Sequence, residues 1–214
     1  MKRLFILLPF FLNILISSAQ NEPLFIFNQY YNAKIHFKNH SISMAAMNYD
    51  AVNDKMYFKQ NNELMELINT ASIDSIVWAK KRCFIPFGNG YLEKVNVKNG
   101  TIYIHWRIKN VNVGSRGALG SITQGKVENI NIRTMGVFSS TDPSSHNADV
   151  YQQKNANEYY LSINGKPHKV NTLKQIQKLF PQHKETIKTF VDDNNIKMNE
   201  PLSVMELLNY CMGL

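Results

Sequence analysis

Apolar and polar positions along this chain follow two different rhythms. From Ala33 to Val113 short runs rich in Ile, Val, Phe, Tyr and Met alternate with polar residues. Runs at 34–37, 41–48, 55–59, 63–68, 73–79 and 82–87 read as strands, because alternate side chains fall on opposite faces of a sheet. The breaks between them hold Lys38-Asn39-His40, Asn61-Asn62, Asn69-Thr70 and Gly88-Asn89-Gly90, which is turn chemistry. The clearest element is a hairpin over 91–108, with Asn99-Gly100 expected as its two-residue turn. Counting outward, Val97 would face Ile102, Val95 would face Ile104 and Glu93 would face Trp106. One face is then apolar except at Glu93. The other carries Tyr103, His105 and Arg107 and is expected to be wet.

The rest of the chain changes character. Residues 114–125 read as a glycine-rich connection, and 126–138 as a returning strand with Ile130 and Ile132 alternating. Residues 139–157 are rich in Ser, Asn, Gln and Lys and read as an exposed loop or linker. A second hairpin is expected around Asn164-Gly165, with Pro167 marking a sheet edge. Beyond it the period lengthens to that of helices. Asn171 or Thr172 can cap a helix with Leu173, Ile176, Leu179 and Phe180 on one stripe. Pro181 interrupts that stripe, Ile187, Phe190 and Val191 continue it, and Pro201 opens a last helix expected to bury Leu202, Met205 and Leu208. The fold class is therefore α+β: an antiparallel meander forming a roll, sandwich or small barrel, with a short C-terminal helical tail. The expected organisation is a β domain over 20–138, a polar linker over 139–157, and a hairpin with helical tail over 158–214 packed on the same domain.

The N-terminus has a different pattern again. Lys2 and Arg3 precede an apolar run over 4–16, and Ser17-Ser18-Ala19 follows it. That order is expected of a secretory signal peptide over 1–19, cleaved between Ala19 and Gln20. The run is shorter than the roughly 20 apolar residues of a spanning helix. The expected location is the periplasm or the cell exterior. The formal charge is +8. Loss of Lys2 and Arg3 lowers it to +6. An exported basic protein points away from nucleic acid and towards an envelope protein or an anionic glycan or lipid surface. Export also allows a disulfide between Cys83 and Cys211, with two buried free thiols as the alternative.

Some of these residues carry a resemblance. Gly90 to Val95, Asn99-Gly100-Thr101, Tyr159-Tyr160-Leu161, Asn164-Gly165-Lys166, Leu179-Phe180-Pro181 and Leu207-Leu208-Asn209-Tyr210 are similar to a family of small exported proteins of Bacteroidetes-type bacteria. The resemblance implies export and a β-rich fold, and it brings no catalytic residues. Cys211 departs from the pattern, which has a tyrosine there.

Candidate chemistry is sparse. His36 and His40 are four apart, but the zinc-protease pattern is absent. Gly114 to Ser121 lacks both the phosphate-loop lysine pair and the spacing of a nucleophile elbow. Lys166, Lys169, Lys174, Lys178, Lys184 and Lys188 outnumber Glu185 and suit a wet helical face. No catalytic, metal or cofactor residue is expected. The candidate binding surface is Tyr103, His105 and Arg107. The expected function is a non-catalytic binding or structural module of the envelope. Its alternatives are a carrier of an apolar or amphiphilic ligand, with a cavity at Val95, Ile104 and Trp106, and a hydrolase.

Overall fold

The computed structural model describes residues 23–61, 63–78, 82–116, 122–123 and 149–214. The expected leader over 1–19 and the expected strand over 126–138 lie outside them. The chain is mostly antiparallel sheet with a short helical region at its C-terminal end, as the periodicities require. One sheet has ten strands: β1 (Tyr31–Phe37), β2 (Ile42–Asp50), β3 (Lys55–Gln60), β4 (Glu63–Glu66), β5 (Ile73–Trp78), β6 (Cys83–Phe87), β7 (Gly90–Val97), β8 (Gly100–His105), β12 (Glu158–Ile163) and β13 (Lys166–Lys169). The others, β9 (Ile108–Arg116), β10 (Ile122–Thr123) and β11 (Asp149–Asn155), form a small second sheet. In the large sheet β1 to β4 run outward to one edge. The chain then returns to the free side of β1 with β5, and β6, β7 and β8 run the other way. β12 joins β8, and β13 is the far edge, where Pro167 costs no ladder bond.

Two sequence expectations need correction here. The 91–108 hairpin closes with Val97 opposite Gly100, so Lys98-Asn99 is the turn and Glu93 faces Ile104. Neither Asn99 nor Gly100 takes a positive φ, so the tight primed turn expected of that pair is absent. The shift is even, so every side chain keeps its expected face. Asn164-Gly165 does form such a turn, with φ of 51° and 76°. The expected polar linker contains a strand: β11 pairs with β9 along its whole length, and β9 itself extends through the start of the glycine-rich segment.

One face of the large sheet carries both core clusters. Ala33, Ile35, Met47, Tyr49, Met56, Ile76, Trp78, Phe84 and Tyr91 cluster within the curl of β1 to β7. The curl is tight enough for the Ile108 amide to donate to the Ala51 carbonyl at 2.9 Å. Further along the same face Ile102, Ile104, Tyr159 and Leu161 pack against the helices α1 (Leu173–Leu179), α2 (Lys184–Asp193) and α3 (Pro201–Cys211). Thr172 and Gln175 close a reciprocal capping box at the start of α1. Pro181 opens a 3-10 turn between α1 and α2. α3 buries Val204, Leu207, Leu208 and Cys211, spaced as one helical stripe. Leu202, expected inside, is 86% exposed, because it lies on the opposite side of that stripe.

Candidate binding face and the polar clusters beneath it

Glu93 is the exception on the apolar face, and its neighbours explain why it is tolerated. Arg82 Nε donates to Glu93 Oε1 at 2.6 Å and Nη2 to Oε2 at 2.5 Å. Trp106 Nε1 donates to the same Oε2 at 2.6 Å. The guanidinium also lies over the Phe27, Phe84 and Trp106 rings. A buried carboxylate is acceptable only when paired and hydrogen-bonded, and this one has three donors. The cluster sits where the two halves of the core meet, since Trp106 packs against both.

A second polar cluster lies at the end of β8, on the outer face. His105 was expected to be wet and is 5% exposed. The reason is the β2–β3 turn, which folds over Gly90 and brings Asp54 to the histidine. Nε2 of His105 lies 2.8 Å from Asp54 Oδ2, and the Tyr49 hydroxyl donates to Asp54 Oδ1. Gly90 is required there, because a Cβ would overlap the Asp54 carboxylate. Burial alone would push the Asp54 carboxyl up. The bonds from His105 and Tyr49 outweigh it and hold the group below its ordinary value. Burial, reinforced by the Asp54 charge, drives the Tyr49 phenol far above its usual range.

On the other side of the ring, Nδ1 of His105 faces Glu158 Oε2 at 3.7 Å and has no hydrogen-bond partner. An ionised Asp54 can only accept, so Nε2 is the donor in that pair. Glu158 is held instead by Lys169 Nζ at 2.6 Å and the Tyr160 hydroxyl at 2.8 Å. Burial opposes its ionisation, but those bonds keep its carboxyl below the ordinary value. Burial and the Glu158 bond push the Tyr160 phenol up to about 12. The two carboxylates lie on opposite sides of the imidazole and cannot converge on one ion. Among the described residues no group of three or more His, Cys, Asp or Glu is placed to hold a metal. His36 and His40 do share a depression of about 330 Å³, with Phe37, Lys38, Ser41 and Asp74.

Tyr103, the other strand residue of the expected surface, lies in a cross-strand row. Lys94 is opposite Tyr103, Tyr103 is opposite Tyr160, and Tyr160 is opposite Lys169. The helices pack on the other face, so this row is not covered by them. Phe87 stands beside it, 44% exposed, 5.9 Å from the Tyr160 ring and 6.0 Å from that of His105. Arg107 is not on the strand. It lies in the break after β8, its amide bonded to Asn157 Oδ1 at 2.8 Å, and its charge is felt at both Tyr49 and Tyr160. Sequence reading missed Asp54, Glu158 and Tyr160, which come from other hairpins. The lone Glu on an apolar face was the one signal that marked a buried polar cluster.

Of the two states the sequence left open for Cys83 and Cys211, the disulfide is not formed. Cys83 and Cys211 are both free. Phe84 points into the core, so its neighbour Cys83 points to the outer face, while Cys211 is buried beneath the helices on the inner one. The sheet stands between them. The positions a carrier would use are also occupied: Val95 and Ile104 pack with the helices, and Trp106 bonds Glu93. No helix among the described residues is long and apolar enough to cross a membrane. No protein-family profile, curated protein or solved structure matches this chain.

Proposed function

We propose that this protein is an exported, non-catalytic binding module of the cell envelope, working through the outer face of β7, β8, β12 and β13. The observation that carries the reading is the row of Lys94, Tyr103, Tyr160 and Lys169 in direct register on a face without a helical layer. Tyrosines offer large contact area at little entropic cost, and flanking lysines add long-range attraction. The polar clusters beneath have the character of supports. Asp54 is held by His105 and Tyr49, and Glu93 by Arg82 and Trp106, so among the described residues these clusters aim no free nucleophile and base at one point. Export is supported by the pattern of residues 1–19 and by the resemblance of the 90–101 and 159–210 motifs to exported proteins.

The test is native mass spectrometry of the protein recovered from its own envelope, beside a Tyr103→Ser, Tyr160→Ser variant. The expected result is an N-terminus at Gln20 and a macromolecular partner that the variant loses. A small apolar molecule retained by both forms would establish the carrier reading instead. A partner held equally by both would refute the proposed face.

A further inference from the structure

The row extends well beyond its tyrosines. Met44 is opposite Lys34, Lys34 opposite Val77, Val77 opposite Cys83, and Cys83 opposite Lys94. One continuous line of residues therefore crosses β2, β1, β5, β6, β7, β8, β12 and β13 on the outer face. Its cations are Lys34, Lys94 and Lys169. Three strand steps separate the first from the second, and three more separate the second from the third. At the usual distance between neighbouring strands each interval is about 14 Å measured along the curved sheet. Lys34 and Lys169 are exposed and Lys94 is half-buried. Lys34 and Lys94 make no ion pair among the described residues. Lys169 is held by Glu158.

We infer that this line is the seat of a linear polyanion, an acidic polysaccharide laid across the strands. The inference rests on the binding-module reading above and names its ligand class. The charge complementarity runs along one line that follows the convex side of the curled sheet: Lys34 and Lys94 without an ion partner among the described residues and Lys169 shared with Glu158 meet a chain of regularly repeated negative groups. A bilayer surface would instead call for cations spread over a plane. Between Lys94 and Lys169 the line offers the rings of Tyr103 and Tyr160, which suit sugar faces, while the Tyr160 hydroxyl is held by Glu158. Between Lys34 and Lys94 it offers Val77 and Cys83, which carry no charge and leave room for the chain.

The experiment measures binding of the purified protein to polygalacturonate and to dextran sulfate over a range of salt. Lys34→Gln, Lys94→Gln and Lys169→Gln are compared with a Lys184→Gln, Lys188→Gln pair on the exposed side of α2. Circular dichroism first confirms that each variant is folded. Each row variant is expected to weaken binding several-fold and to lower the salt slope by about one, as loss of one anion contact does. The α2 pair is expected to bind as the parent does. Equal losses from both sets would mean undirected basicity and overturn the inference, as would row variants that bind normally. Capture of phosphatidylglycerol vesicles but of neither polymer would assign the row to lipid and also overturn it. If no polymer or vesicle binds while Tyr103→Ser, Tyr160→Ser still abolishes an envelope interaction, the polyanion is refuted and the binding module stands.

Discussion

Replacing Arg82 by methionine should destabilise this protein by about 3 kcal/mol, because it strands a buried carboxylate. Glu93 keeps 7% of its side-chain surface in water, and Arg82 keeps 28%. Breaking a buried ion pair by removing one partner costs about 3–5 kcal/mol, and the partial exposure of Arg82 places this case at the low end. Trp106 would remain as a single donor to Oε2. The methionine would keep much of the stem that packs among Phe27, Phe84 and Trp106. The decisive comparison is with Arg82→Met combined with Glu93→Leu. Removing both charges removes the stranded carboxylate, so the double variant should be more stable than the sum of the single losses predicts. Its residual cost is the orphaned Trp106 indole N–H, about 1–3 kcal/mol. Urea unfolding followed by tryptophan fluorescence reads all three variants, and the coupling energy should exceed about 1.5 kcal/mol, within the range for contacting residues. Thermal melts should place the Arg82→Met midpoint roughly 6–12 °C below the parent, at about 2–4 °C per kcal/mol for a domain of this size. Strictly additive losses would mean that the two side chains do not act as a pair, and the account of Glu93 would fail.

Three further outcomes follow from the same geometry. Gly90→Ala should cost about 1–3 kcal/mol, the usual price of overpacking, since its methyl group displaces Asp54 from His105 and Tyr49; a melt unchanged within a degree would show that the turn yields freely. Asp54 and Glu158 both have carboxyls lowered in the folded state from ordinary values of 3.8 and 4.5. The unfolded chain therefore binds more protons in that window, so stability present above about pH 4.5 should be lost as pH falls through the folded values, and Asp54→Asn should flatten that loss in a pH series of urea midpoints. Both cysteines are free and burial raises both thiols, Cys211 to about 11. A thiol reagent should label half-buried Cys83 in the native protein and buried Cys211 only on unfolding, and reductant should leave the intact mass unchanged; a gain of two hydrogens would reveal a bridge.

Local chemistry made much of this fold legible. Asn164-Gly165 adopts the turn its two residues favour, Thr172 and Gln175 cap α1 reciprocally, and Pro167 lies on an edge strand, each through interactions of near neighbours. The hairpin register at Asn99-Gly100 was misjudged by two residues, because cross-strand pairing rather than turn preference chose it, yet an even shift preserved both faces. The strand β11 was hidden because its polar sequence lacks apolar alternation; its partner β9 supplies the ladder. The candidate site was only half visible. Tyr103 lies on the outer face, where alternation places it, but Tyr160 and Lys169 reach it through pairings between distant hairpins.

What the sequence determined by itself is the type of most elements and the face most side chains take, since alternation, helical period and capping act over a few residues. Tertiary structure alone decided the surroundings of those side chains. The curl that folds the β2–β3 turn over Gly90 buried His105, which strand alternation had put in water. The same curl brought Arg82 and Trp106 to Glu93, and the sheet held Cys83 and Cys211 apart on its two faces. Burial and pairing of polar groups depend on which distant segments meet, and that is settled by how apolar faces close on one another, a quantity no local pattern contains.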